Sequence, residues 1–288
     1  MKKVFNFQWL SVLLLALVLA GCGTAEDTTN KEASQDIQQE EKTSYKVTDD
    51  RGVEIEFNEV PKTVVSLQPS NTEILFALGV GDKIVGGATE YDTYPEEAQK
   101  IERVSDTMNF NSERIIALKP DVVIAYTIGN KDALKPLEDA GIKVFVIQSA
   151  TTFEDVYGDI EQIAAVMDVA DKGNKLNEEI KAKIAEVQTK VKDVKTPKNV
   201  YLEVSPKPDI YTAGSSTFQQ EILDAANVNN VFSDLTSWAK VNEEDVIAKN
   251  PDVILTTVNY TEDPIGGNSW TRWLEYSDSY SKQSGVVS

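Results

Sequence analysis

The sequence predicts an α/β protein of two similar lobes, each a central, mainly parallel sheet flanked by helices, joined by one long helix. Three observations lead to this. From Tyr45 onward, short apolar runs alternate with amphipathic helical stretches, as in layered α/β folds. The segment from Glu113 to Ile124 recurs from Glu244 to Leu255 at a constant offset of 131 residues. Between the copies, Phe153 to Val194 reads as almost continuous helix, interrupted only near Gly158 and at Asp171-Lys172-Gly173. Its apolar stripe runs through Leu176, Ile180, Ile184, Val187 and Val191.

The elements follow in order. Lys2 and Lys3 precede an uninterrupted apolar run from Val12 to Ala20, too short to span a bilayer, so residues 1–21 read as a signal peptide. The run ends in Leu19-Ala20-Gly21-Cys22, which resembles a bacterial lipobox with Cys22 as the acylated residue. An ordinary secretory signal followed by an incidental Cys is the alternative. Residues 22–44 are polar and charged and are expected to be a disordered tether. Val47 to Phe57 alternates as a hairpin that turns at Asp50-Arg51-Gly52. Val64 to Leu67 is a buried strand, followed by a turn at Pro69-Ser70-Asn71 and a helix that Gly79 ends. Strand Ile84 to Gly87, helix Glu113 to Leu118, strand Val122 to Tyr126, helix Asp132 to Ala140 and strand Val144 to Ile147 complete a first lobe at 45–152. The linking segment is 153–195 and the second lobe 196–288. In each copy of the repeat a short helix stops before Pro, and Asp leads into a β-branched strand. A weaker echo pairs Glu73-Ile74-Leu75 with Glu221-Ile222-Leu223, and Ile84-Val85 with Val231-Phe232.

Composition excludes several functions. The net charge is −19, which repels phosphate backbones and anionic lipid, so nucleic acid is not an expected partner and membrane attachment falls to the lipid on Cys22. There is no His, and the single Cys is assigned to lipid, so no transition-metal site, Ser-His hydrolase or Cys nucleophile is expected. Gly79, Gly81, Gly86 and Gly87 do not form a phosphate loop. Enzymatic readings survive only as a lipid-anchored, carboxylate-dependent hydrolase. The reading adopted is a monomeric binding protein with neither cofactor nor metal.

From about Tyr45 to Thr257 the chain resembles the periplasmic-type binding proteins for cobalamin and ferric siderophores, nearest to the cobalamin-binding branch. The resemblance is carried by Val65 to Glu73, by Tyr91 with Tyr94 to Ala98, by Glu113 to Asp121, by Tyr211 to Gly214, and by Trp238 to Glu244 with Pro251-Asp252. It implies an ABC importer component that captures a small molecule between its lobes and hands it to permease subunits. By the same resemblance, Glu113 and Glu244 dock onto permease arginines; the simpler reading is that both acids complement a helix dipole. Tyr91 and Trp238 match cleft aromatics of the cobalamin branch, and Tyr126 and Tyr211 stand where it also has aromatics; each could instead be a core or surface residue. Two departures stand out. Thr107 replaces a further cleft Trp, and Gly266 to Ser288 lacks the family's closing helix and strand pattern, so the second lobe is expected to be incomplete, with an exposed sheet edge. Arg51, Arg103, Arg114 and Arg272 are the whole Arg supply, which disfavours acidic siderophores. Cobalamin or a related corrinoid ranks first, a hydroxamate-type siderophore second, and haem third for want of His.

Overall fold

The structure, a computed structural model, describes residues 44–87, 94–106, 109–126 and 131–257. Cys22, the tether, Tyr91, Thr107 and the stretch 266–288 lie outside the described residues.

The expected hairpin forms from β1 (Tyr45–Thr48) and β2 (Glu54–Phe57), with the Tyr45 and Phe57 rings stacked 5.3 Å apart. Its turn is held by Asp49, only 3% exposed, which accepts the backbone N–H of Arg51 and of Val53. The same carboxylate accepts the Val146 N–H at 3.2 Å, fixing the hairpin to the first sheet.

That sheet contains β3 (Val64–Ser66), β4 (Ile84–Gly86), β5 (Val122–Tyr126) and β6 (Lys143–Ile147), all parallel, in the order β4-β3-β5-β6. Val122 to Ala125 are wholly buried, so helices cover both faces. One face packs on α1 (Pro69–Ala77) and on α4 (Phe153–Val166) through Leu75, Ile160 and Ile163. The other packs on α2 (Ser112–Leu118) and α3 (Lys135–Asp139) through Ile115 and Leu137. Two local expectations change. Pro69-Ser70-Asn71 is the first turn of α1 rather than a turn before it, since Pro has no N–H to lose at a helix start. The helix expected from Asp132 begins as a 3-10 turn, Lys131–Leu134, and becomes α-helical only at Lys135, next to Pro136.

The linking segment breaks elsewhere than predicted. α4 ends at Val166 and α5 runs over Ala170–Val191. Between them Asp168 takes a left-handed φ of 55°, and the Val169 N–H closes on the Ala164 carbonyl at 2.8 Å, a helix stop without glycine. Gly158 lies inside α4. Gly173 lies inside α5, where a Cβ would come within 2.7 Å of the Ala164 Cβ, so this glycine is a helix–helix contact point. Its helix-propensity cost of about 1 kcal/mol is offset by that close packing.

The second lobe has a parallel sheet of β7 (Asn199–Glu203), β9 (Asn229–Asn230) and β11 (Val253–Thr256), in the order β11-β7-β9. Tyr201, Phe232 and Val246 are its core, with α7 (Glu243–Lys249) on one side. On the other face Val253 and Leu255 are exposed beside Val200 and Leu202, and β11 is the edge of the described sheet. α6 (Phe218–Ala225) leads into β9. The strand after α6 forms at Asn229–Asn230, just before the apolar pair Val231-Phe232, and Phe232 fills the core.

The repeat holds in detail. α2 and α7 start one residue after Asn111 and Asn242, whose side chains accept the N–H of Arg114 and Asp245 at 2.9 and 2.8 Å. Both end in a left-handed cap, Lys119 (φ 49°) and Asn250 (φ 46°). Asp121 donates its N–H to the Thr63 carbonyl, and its carboxylate accepts the Thr63 N–H at 2.9 Å. Asp252 makes the same reciprocal pair with Asn199 at 2.7 and 2.8 Å.

A two-stranded antiparallel ribbon, β8 (Tyr211–Ala213) with β10 (Trp238–Lys240), stands beside the second sheet. It is buttressed at Gly214, where an added Cβ would meet the Leu235 carbonyl oxygen at 2.3 Å. The Ser215 N–H donates to that same oxygen at 2.7 Å. Gly214→Ala must push the 233–237 loop away, and we expect a loss of about 1–3 kcal/mol with a lower Tm; an unchanged Tm would mean the loop yields freely.

In α4, burial pushes the Asp159 carboxyl up to about 7, from an ordinary 3.8, with Asp50 and Asp155 adding repulsion. A raised carboxyl favours the folded state when protonated, so stability is greatest below about pH 4 for this group and is lost as pH rises through 7. Asp159→Asn removes that loss. The variant should exceed the parent at pH 8 by about 1–2 kcal/mol, discounted for partial exposure, and converge with it near pH 4. Parallel melting curves across pH 4–8 refute this account.

Candidate ligand cleft and docking surface

The two sheets present their carboxyl edges to one junction. α4 begins shortly after β6 ends, so its first turn lies at the carboxyl edge of the first sheet. α6 delivers the chain to the amino end of β9, so its first turn lies at the carboxyl edge of the second. Phe153 and Phe218, each opening its helix, meet edge to face with ring centroids 5.5 Å apart. Open α/β sheets bind ligands outside the carboxyl ends of their strands, and small molecules commonly bind where two lobes meet.

Tyr126 is the last residue of β5 and is half-buried, with its hydroxyl hydrogen-bonded to the Ser149 hydroxyl just beyond β6. In the second lobe, the ribbon register pairs Tyr211 with Lys240 and Ala213 with Trp238, which puts Tyr211 and Trp238 on one face as diagonal neighbours. They are 38% and 48% exposed, too open for core residues. Lys240 is tied to Asp209, which holds its ammonium above its ordinary pKa and keeps it beside the aromatic pair. Tyr126 thus ends a strand at the carboxyl edge of the first sheet, and Tyr211 and Trp238 share one face of the ribbon beside the second. Tyr91, the fourth expected aromatic, lies outside the described residues.

Sequence reasoning missed Ser149, Phe153 and Phe218. Each Phe directly follows a threonine N-cap, Thr152 or Thr217, and that pattern marks helix starts but not what the next side chain touches. The Asp209–Lys240 pair was also missed, because its partners are 31 residues apart and meet only through the ribbon.

Glu113 and Glu244 occupy the same place on twin helices. Each is the second residue of its helix, α2 or α7, and each helix runs to the amino end of its strand, so both acids lie on the carboxyl-edge side. Both are exposed, and among the described residues neither carboxylate has a hydrogen-bond or ion-pair partner. Their surroundings differ. An open hollow of about 830 Å³, lined by Arg103, Asp106, Phe110 and Arg114, lies against Glu113. A second hollow, of about 530 Å³, lies away from the junction at the amino edge of the first sheet, between Phe57, Lys119 and Lys143. Among the described residues no three His, Cys, Asp or Glu side chains are grouped to hold a metal ion, and no helix is long and apolar enough to cross a membrane.

Comparison with known proteins agrees with this architecture. The family described as "Periplasmic binding protein" matches residues 64–269. The uncharacterized ABC transporter substrate-binding lipoprotein YvrC of Bacillus subtilis strain 168 is 41% identical over 254 residues, covering 86% of this chain and 79% of that protein. A vitamin B12-binding protein of Photorhabdus laumondii is 32% identical, covering 73% of this chain and 76% of its own. The crystal structure of a possible iron-binding (periplasmic solute-binding) protein from Staphylococcus epidermidis superposes with a TM-score of 0.65 at 31% identity, covering 79% of this chain and 87% of that one. Twin parallel sheets, one linking helix and a family match over most of the chain lead to one conclusion: this chain belongs to the periplasmic binding protein family.

Proposed function

We propose that this protein is the ligand-capturing lipoprotein of an ABC importer, held at the extracytoplasmic face by lipid on Cys22, and that it binds cobalamin or a related corrinoid between its lobes. The observation that carries the ligand class is the exposed Tyr211–Trp238 pair on one face of a buttressed ribbon. A corrin ring is broad and amphiphilic, and flat aromatic walls offer it area at low conformational cost. The similarity to a vitamin B12-binding protein supports the same choice. Acidic ligands are a poorer match: Arg51 is engaged by Asp49 and Glu138, and Arg114 by Glu102. Haem is a poorer match still, with no imidazole in the chain.

The second reading is a ferric hydroxamate siderophore, favoured by the likeness to a possible iron-binding protein. In either case Glu113 and Glu244 are the docking acids. They are equivalent by the repeat and unpartnered among the described residues, and each can accept a bidentate arginine from one half of a dimeric permease.

Titration of the unlipidated protein with cyanocobalamin should quench tryptophan fluorescence saturably at one to one, and Trp238→Ala should weaken binding about 10- to 100-fold. Silence from the folded protein, together with binding of a ferric hydroxamate, would replace the first reading by the second. Glu113→Gln and Glu244→Gln should each leave ligand affinity unchanged and lower ligand-stimulated ATPase activity of the reconstituted importer about tenfold or more. Full stimulation by both variants would remove the docking role.

A further inference from the structure

The starts of α2 and α7 carry five charged side chains in sequence, Glu113 and Arg114 on one, and Glu243, Glu244 and Asp245 on the other. Three of the five are tied down. Arg114 gives its Nε to Glu102, a residue of the preceding loop. Glu243 is paired with Lys207 at 2.5 Å. Asp245 turns back to the backbone N–H of Asn242, closing a capping box. Among the described residues, the two left without a partner are Glu113 and Glu244, which stand at the same helical position.

We propose that Glu102 and Lys207 are positioning residues for docking: they tie down Arg114 and Glu243 beside the docking acids, so that each lobe offers one carboxylate without a partner among the described residues to a guanidinium. This rests on the docking role proposed above. Both ties are solvent-exposed ion pairs, with 60% and 35% side-chain exposure for Arg114 and Glu102, and 57% and 31% for Lys207 and Glu243. Pairs of that kind add little to stability, so their effect falls on what the surface presents. Freed from Glu102, Arg114 is one residue from Glu113 and competes with any incoming guanidinium. Freed from Lys207, Glu243 becomes a second acid beside Glu244 and spoils the one-to-one match with the first lobe.

The test needs no permease. Side-chain carboxylates are observed by carbon-detected NMR while N-acetyl-arginine amide is added to the parent, to Glu102→Gln and to Lys207→Met, all with matched Tm. In the parent, Glu113 and Glu244 should respond most among the surface acids. In Glu102→Gln the Glu113 response should fall about two- to fivefold while Glu244 is unchanged, and in Lys207→Met, Glu243 should begin to respond. A Glu113 response equal in parent and Glu102→Gln, with Glu243 silent in Lys207→Met, overturns the positioning role and leaves docking standing. If neither Glu113 nor Glu244 responds more than other acids in the parent, the docking reading falls, and this inference with it.

Discussion

The structure depends on one small device used twice, the reciprocal lock between the Asp that opens a strand and the chain that starts its neighbour. Asp121 grips Thr63, and Asp252 grips Asn199, each through both its own amide and its carboxylate. At Asp121, burial pushes the carboxyl up, but the N–H donors of Lys62 and Thr63 outweigh it and hold the group below its ordinary pKa. The lock fixes register, since Val64 then faces Val122 and Val200 faces Val253. It also fixes the helix immediately before each Asp, whose Asn cap and left-handed stop leave no freedom of phase. A glutamate at the second position of such a helix has its place set by the sheet.

From that frame follow the two surfaces of interest. The amino edges of the sheets carry the locks. The carboxyl edges, freed from structural work, carry Tyr126 and the first turns that meet through Phe153 and Phe218. The aromatic ribbon is an addition to this plan, and it needs its own support. Gly214 lets the Leu235 carbonyl come within bonding range of the chain, and the pleat of β8 and β10 then turns Tyr211 and Trp238 the same way.

Much of this was legible in the sequence because the repeat carries local signals that act within a few residues: Asn caps, Pro stops and β-branched strands. The hairpin was legible for the same reason, its turn being closed by Asp49 two and four residues away. What could not be read was whatever depended on distant packing. Asp168 ends α4 without Gly or Pro, and Gly173 resembles a breaker until Ala164 is placed against it. The break in the linking segment was therefore expected at Asp171-Lys172-Gly173, and the structure puts it between Val166 and Ala170. At the candidate site, the acids and ribbon aromatics were singled out through the repeat and the family motifs. Their neighbours Ser149, Glu102 and Lys207 were not, because each acts through a partner far along the chain or across a loop.

The described chain passes from one lobe to the other once, through α5. That helix has 22 residues, a strut of about 33 Å, pinned along α4 at one end and to Asn227 at the other. A strut fixed at both ends makes the protein a gauge. For a partner that grips both lobes at once, the span between its two grips is set by the length of α5.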